Sequence, residues 1–180
     1  MTDADRGSLA KTLRRPMFFI PAGVGAVLVV AFLGWSATCP CDRTPGAYLF
    51  GTSADGPVSD WGFANSVTLC QIQIRARLRP HAINLNCMAA SSGQLYLSCS
   101  QCDGKYWSGH AVNNSRARLR LDGTVYPVTV TRVMDPGELD QAWGARVEKL
   151  NTLPEPASPA PSPGTPRPDD WWTFRVEWRS

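Results

Sequence analysis

Six cysteines carry the clearest chemical signal in this 180-residue chain: Cys39, Cys41, Cys70, Cys87, Cys99 and Cys102. All six follow the one long apolar segment, and none precedes it or lies within it. An even number of thiols in an oxidising compartment reads as a set of disulfides, whose pairing the sequence does not choose. Cys99 and Cys102 form a C-x-x-C, a spacing that also serves redox exchange or half of a metal site. A redox-active pair normally opens a helix, whose N-terminus lowers the thiol pKa. This pair instead follows an alternating run and enters a polar loop. Asp103 stands where covalent haem attachment requires a histidine. A zinc site needs two further ligands, which Cys39-Pro40-Cys41 could supply. Structural disulfide, redox pair and metal site are therefore three readings of the same residues.

The cations come next. Arg75, Arg77 and Arg79 alternate with apolar residues, and so do Arg116, Arg118 and Arg120. Alternation places each set on one strand face, where a planar guanidinium fork suits phosphate or carboxylate. The same stripes also read as solvated faces that discourage edge pairing. For an anionic ligand, Arg75 and Arg77 beside Lys105 are the first candidates. His81 and His110 are the only histidines, and no Ser-His-Asp arrangement is recognisable. His110 reads as an acid or ligand contact, or as a surface histidine. No glycine-rich phosphate loop and no paired-carboxylate signature is present.

Alternating strands must position these residues. Cys70, Ile72, Ile74, Ala76 and Leu78 alternate with Gln71, Gln73, Arg75, Arg77 and Arg79, a half-buried strand. A second strand runs through Ile83, Leu85 and Cys87. Ser91-Ser92-Gly93 turns it into a third, through Leu95, Leu97 and Cys99. The loop 100–115 holds a short helix over Trp107–Asn113. Asp122-Gly123 joins two alternating runs, 116–121 and 124–133, as a hairpin. Asp135-Pro136-Gly137-Glu138 then opens a helix, with Asp135 as cap, Pro136 at the first position and Glu138 as capping partner. Leu139, Ala142, Trp143, Val147 and Leu150 mark its expected buried face. Residues 154–168 hold seven of the 15 prolines and read as an extended, water-exposed loop inside one domain. A last aromatic strand, Trp172, Phe174, Val176 and Trp178, returns to the core. Six antiparallel strands with one or two helices predict a mainly β fold, a small closed barrel.

The N-terminal part is of another kind. Met17 to Ala37 contains no charged residue and is long enough, as a helix, to span the roughly 30 Å of a bilayer core. Lys11, Arg14 and Arg15 precede it, and Trp35 sits near its far end. The positive-inside rule then places the N-terminus in the cytoplasm and the rest outside. The expected organisation is a cytoplasmic tail 1–16, a single transmembrane helix 17–37, an irregular lead-in 38–67 and a barrel domain 68–180. A cleaved signal peptide and a lipoprotein signal ending at Cys39 are the competing readings. Tyr48, Phe50, Trp61 and Phe63 are expected to tack the lead-in onto the domain. Net charge is +3 overall. Residues 39–180 carry 14 basic and 13 acidic residues, so the barrel is nearly neutral and is not expected to bind nucleic acid.

The stretch from Leu95 to Trp143, LYLSCSQCDGKYWSGHAVNNSRARLRLDGTVYPVTVTRVMDPGELDQAW, resembles the flavin-binding split-barrel superfamily. It is most similar to pyridoxamine-phosphate-oxidase-like proteins and deazaflavin-dependent nitroreductases. Leu95–Ser98, Asp103–Trp107, Val112–Ser115, Arg116–Val133 and Asp135–Leu139 carry the likeness, in a pattern that is structural more than catalytic. The resemblance implies a split β-barrel, an FMN or deazaflavin cofactor, hydride transfer to a small acceptor and a homodimer. It also implies cofactor contacts from Lys105, Tyr106, Trp107 and Ser108. Cys99 and Cys102 depart from the pattern, since they stand where a polar cofactor-contacting segment is expected. The alternative is a non-catalytic, disulfide-stabilised envelope binding module on the same frame. In either case no residue stands out as an essential acid or base.

Overall fold

The computed structural model describes residues 16–38 and 45–180, in two compact units divided after Ser36. The first unit contributes one helix, α1 (Pro16–Thr38), in which Pro21 is the only internal proline. Its described side chains, residues 21–35, are all exposed. Among the described residues no helix is long and apolar enough to cross a membrane. The span expected over 17–37 is therefore helical but is not shown to be a membrane span.

The second unit is built on seven strands: β1 (Thr52–Ser53), β2 (Cys70–Ala76), β3 (Arg79–Ala89), β4 (Leu95–Cys99), β5 (Arg116–Leu121), β6 (Thr124–Arg132) and β7 (Trp172–Trp178). β2 pairs with β3, β3 with β4, β4 with β7, β7 with β6, β6 with β5, and β5 returns to β2. Every one of these pairings is antiparallel, so six strands close into a barrel. Closure leaves no free sheet edge along the ring. β1 adds a short parallel pairing to β6.

Alternation decides what fills the barrel. Ile72, Ile74, Leu97, Leu119, Val128, Val130, Phe174 and Val176 share one buried cluster. The helices α2 (Tyr106–Asn113) and α3 (Pro136–Thr152) pack on the barrel wall. Between α3 and the outer side of the strands lies a second cluster: Met88, Tyr96, Val133, Ala142 and Ala145. Trp61 and Ala64, in and beside a short 3-10 helix over Gly62–Ser66, join the main core.

Several local expectations hold. In the β5–β6 turn both Asp122 (φ 45°) and Gly123 (φ 79°) adopt left-handed backbone, as a tight hairpin between right-twisted strands requires. At α3 the Asp135 carboxylate accepts the Glu138 backbone N–H at 2.8 Å, and Pro136 begins the helix.

Others are corrected. The ten-residue strand from Leu69 ends at Ala76. Arg77 and Leu78 form a tight turn, and Arg79 already belongs to β3, opposite Ala76. Strict alternation continues through the turn, so periodicity alone could not mark it. In the lead-in Leu49 and Trp61 are the buried anchors, and Tyr48, Phe50 and Phe63 stay largely exposed while Tyr48 takes Arg118 and Phe63 contacts Tyr126. Of the expected face, α3 buries Ala142 and Leu150 and half-buries Trp143 and Val147, and it also buries Ala145, Arg146 and Lys149. The Pro-rich loop 154–168 is mostly exposed, as expected, but it does not hang free. It is strapped down by Trp143 Nε1 donating to Thr165 O at 2.8 Å and by Asn151 Nδ2 donating to Pro161 O at 2.9 Å. Arg167 and Asp140 add an ion pair at 3.4 Å.

Candidate functional site

Four of the six cysteines lie among the described residues, and they form two disulfides. Cys70 and Cys87 are bridged with Cα atoms 5.8 Å apart, and Cys99 and Cys102 with Cα atoms 5.5 Å apart. Cross-strand register explains the first bridge. Cys70 lies opposite Leu85, so Cys87, two residues further on, shares its inward face. All four are buried, which suits a structural role better than exchange with a solvent thiol. Cys39 and Cys41 lie outside the described residues. Among those described, no group of three or more His, Cys, Asp or Glu residues could hold a metal ion.

The six residues expected around a cofactor separate into two sets. Trp107 and Ser108 face inward from α2. Trp107 is 6% exposed and packs against Phe174, with ring centroids 5.1 Å apart. The Ser108 hydroxyl lies 2.7 Å from Cys102 O and 2.8 Å from Lys105 O, so it holds the loop to the first turn of the helix. Lys105, Tyr106, Arg75 and Arg77 face outward. Lys105 Nζ donates to Ser100 O at 2.7 Å. Tyr106 contacts both histidines, His81 at 5.1 Å and His110 at 4.7 Å between centroids. Burial first, then the charges of Arg79 and His110, lower the His81 pKa. The fold thus gathers the chain's two histidines around one tyrosine, next to the β2–β3 turn.

The second arginine stripe has a different use. Arg118 stacks on the Tyr48 ring at 4.3 Å and donates to Gln73 Oε1 at 3.2 Å. Arg120 donates to Gln71 Oε1 and, at 2.8 Å, to Phe50 O. Leu49 N donates to the same Gln73 oxygen at 2.8 Å. The part of the outer β2–β5 face around Gln71, Gln73, Arg118 and Arg120 is therefore occupied by the protein's own lead-in segment. Gly51 lies so close to Gly123 O that a Cβ there would collide with it.

Two buried cations escaped sequence reasoning. Lys149 is 3% exposed, and its Nζ donates to Ala64 O and Cys87 O, both at 2.7 Å. β3 has already parted from β2 at Cys87, so that carbonyl lacks a strand partner on this side. Asn65 does the same service two residues on. Its side chain exchanges hydrogen bonds with the Ala89 backbone at 2.8 and 2.9 Å. Burial, then the charge of Arg146, push the Lys149 pKa down to about 8. Arg146 donates to Ser98 Oγ at 2.8 Å and stacks on Trp171 at 4.3 Å. The only available signal was helical spacing, and it pointed to the neighbouring apolar face.

Clefts on the barrel unit include two of similar size. One, about 370 Å³, lies between α3 and the Pro-rich strap and includes Trp143, Val147 and Thr165. The other, about 310 Å³, includes Trp61, Gly93 and Trp178. Neither contains any of the six residues expected at a cofactor. Of the six residues, Trp107 and Ser108 are packed into the core, while Lys105, Tyr106, Arg75 and Arg77 lie on an open surface.

No protein-family model and no curated protein matches the sequence. Solved structures with a similar backbone are pyridoxamine-phosphate-oxidase-like and flavin-binding split-barrel proteins in several cases. They include a conserved hypothetical protein of Mycobacterium tuberculosis (TM-score 0.46, 13% identity, covering 72% of this chain and 86% of that one). The FAD binding protein from Mycobacterium smegmatis gives TM-score 0.42 and 16% identity over 67% of this chain and 88% of its own. A pyridoxamine 5'-phosphate oxidase-related, FMN binding protein from Nostoc punctiforme gives 0.38 and 14% over 62% and 70%. At these identities and scores the likeness carries nothing about activity. The closed six-stranded barrel itself is the architecture that the sequence resemblance implies.

Proposed function

We propose that this chain is a membrane-anchored, extracytoplasmic binding module on a split-barrel frame, without catalytic machinery of its own. The observation that carries this reading is the occupation of the barrel's outer β2–β5 face by residues 48–50 through Gln71, Gln73, Arg118 and Arg120. A planar cofactor needs a cleft with a few convergent polar groups, and on this part of the barrel the polar groups already hold the protein to itself. The anchor reading is supported by the uncharged run Met17–Ala37 and by the exposure of Val24, Leu28, Phe32 and Leu33 on α1. The export reading is supported by two buried disulfides.

The second reading is flavin or deazaflavin binding, which the Leu95–Trp143 resemblance and the outward grouping of Lys105, Tyr106, Arg75 and Arg77 favour. One experiment separates the two. The full chain is purified in detergent, its visible spectrum is recorded, and FMN, FAD and a deazaflavin are titrated by fluorescence quenching. The expected result is a colourless protein with no saturable binding at micromolar concentrations. A co-purified yellow chromophore, or micromolar binding abolished by Lys105→Ala, overturns the proposal in favour of a cofactor protein.

A further inference from the structure

The β2–β3 turn is an unusual surface. Leu78 at its tip is 94% exposed. Arg77 beside it takes φ 57°, left-handed backbone that glycine or asparagine adopts at lower cost. Neither residue is a choice that favours the turn. Around this tip the barrel end carries Arg75, Arg77, Arg79, Lys105 and Arg116, all exposed. Ala117 lies opposite Ile74, so Arg116 falls beside Arg75 on the adjacent strand, and both point outward. Like charges in cross-strand positions destabilise a sheet unless something anionic covers them. Among the described residues the ion pairs are Arg167–Asp140 and Arg175–Glu138, and neither involves these five cations. The nearest acidic position in sequence is Asp103, in the loop leading to α2. Apolar side chains protrude from the same end: Tyr106 is 46% exposed and Val112 is 51% exposed.

The chain also enters the barrel at this end. Gly46 exchanges backbone hydrogen bonds with Ala82, at 2.8 and 2.9 Å, three residues beyond Arg79. Thr38 and Gly46 are eight residues apart, at most about 28 Å of fully extended chain.

We propose that the barrel end formed by the β2–β3 turn and the exposed side of α2 docks on an anionic phospholipid surface. Leu78 and Tyr106 would enter the headgroup layer, and Arg75, Arg77, Arg79, Lys105 and Arg116 would meet lipid phosphates. This inference rests on the anchor reading. Apolar tips amid basic residues are the pattern by which proteins lie on membranes, and each basic side chain near an anionic surface adds to the attraction.

The test is hydrogen–deuterium exchange on the full chain reconstituted in nanodiscs of phosphatidylcholine alone or with one third phosphatidylglycerol. Slower exchange across residues 74–82 and 105–112 in the anionic discs is expected, by about fivefold or more. The difference should vanish in 0.5 M salt and in an Arg77→Glu, Leu78→Ser variant, whose two positions are exposed and leave the core untouched. Equal exchange in both lipids, with the chain incorporated in both, overturns the docking surface while the anchor stands. Protection in neutral discs on adding inorganic phosphate or FMN, matching that of the anionic lipid, overturns it in favour of a small-anion site. Failure of the chain to incorporate in either disc overturns the anchor reading and this inference together.

Discussion

Lys149 shows how one residue's charge can be tied to the closure of the fold. Its ammonium replaces a missing strand partner at Cys87 O and also ties down Ala64 O, with no carboxylate on it. The charge is therefore costly, while the hydrogen bonds are needed. With a pKa lowered from 10.5 to about 8 in the folded state, the unfolded chain holds more protons between those values. Stability then rises with pH across that window, by about 3 kcal/mol at most. Above pH 10 two groups act in opposite directions: Arg146, its pKa lowered by burial to about 10, continues the rise, and Tyr96 opposes it. Tyr96, held up to about 12 by burial and by Glu138, keeps its proton when folded and loses it when unfolded. Urea midpoints should therefore climb from pH 8 to pH 10 in the natural protein. Lys149→Met should be flat over the same range, and less stable at pH 7.5 by about 1–3 kcal/mol for two carbonyls left short of a donor. A variant with the same rise as the parent would assign the titration to another group.

At the scale of elements the two disulfides do unequal work. Cys70–Cys87 spans 17 residues and joins β2 to β3 where the two strands part. Cys99–Cys102 spans three and shapes the turn that leads from β4 to α2. In the loop-closure account, the longer bridge contributes about 3 kcal/mol and the shorter about 1.5 kcal/mol. Double substitution Cys70→Ala, Cys87→Ala should lower the denaturant midpoint about twice as much as Cys99→Ala, Cys102→Ala. Guanidinium titration of both variants measures this. An equal loss would mean that the short bridge also sets the packing of Trp107 and Ser108. The Pro-rich strap is an element of the same kind. It lacks regular structure, yet the Trp143 and Asn151 side chains hold its backbone against α3.

For the whole molecule, the central contrast lies between a helix apolar on all sides and a barrel that has closed its edges. The barrel buries most of its apolar residues internally, through six antiparallel pairings. Over residues 21–35, α1 shows the opposite: every described side chain is exposed. Such a surface in water is a liability unless lipid or protein covers it. The full chain expressed in a bacterial host is therefore expected in the membrane fraction, and should stay there through alkaline carbonate and high salt. The tail is expected on the cytoplasmic side and the barrel protected from protease until the outer compartment is opened. Release by carbonate would reduce α1 to a cleaved leader or a protein-binding segment.

Features set by neighbouring residues were legible in the sequence. Asp122-Gly123 makes a hairpin because only certain residues tolerate left-handed backbone, and Asp135-Pro136 opens a helix because the cap and the ring act within one turn. Alternation gave the six barrel strands and their order along the chain, since side chains on a strand must choose a face. The likeness over Leu95–Trp143 gave the barrel type. Alternation could not mark the Arg77–Leu78 turn, because a tight turn preserves the rhythm of the strands it joins. Nor could it separate one arginine stripe from the other. Arg118 and Arg120 are claimed by Tyr48 and Phe50, some 70 residues away in sequence, while Arg75 and Arg77 face solvent. The pairing of Cys70 with Cys87 required the register of β2 against β3. The burial of Lys149 required Ala64 and Cys87 to arrive from 85 and 62 residues away. Local stereochemistry thus determined the elements, and long-range register and closure decided which charges were buried, which were paired and which were left to face outward.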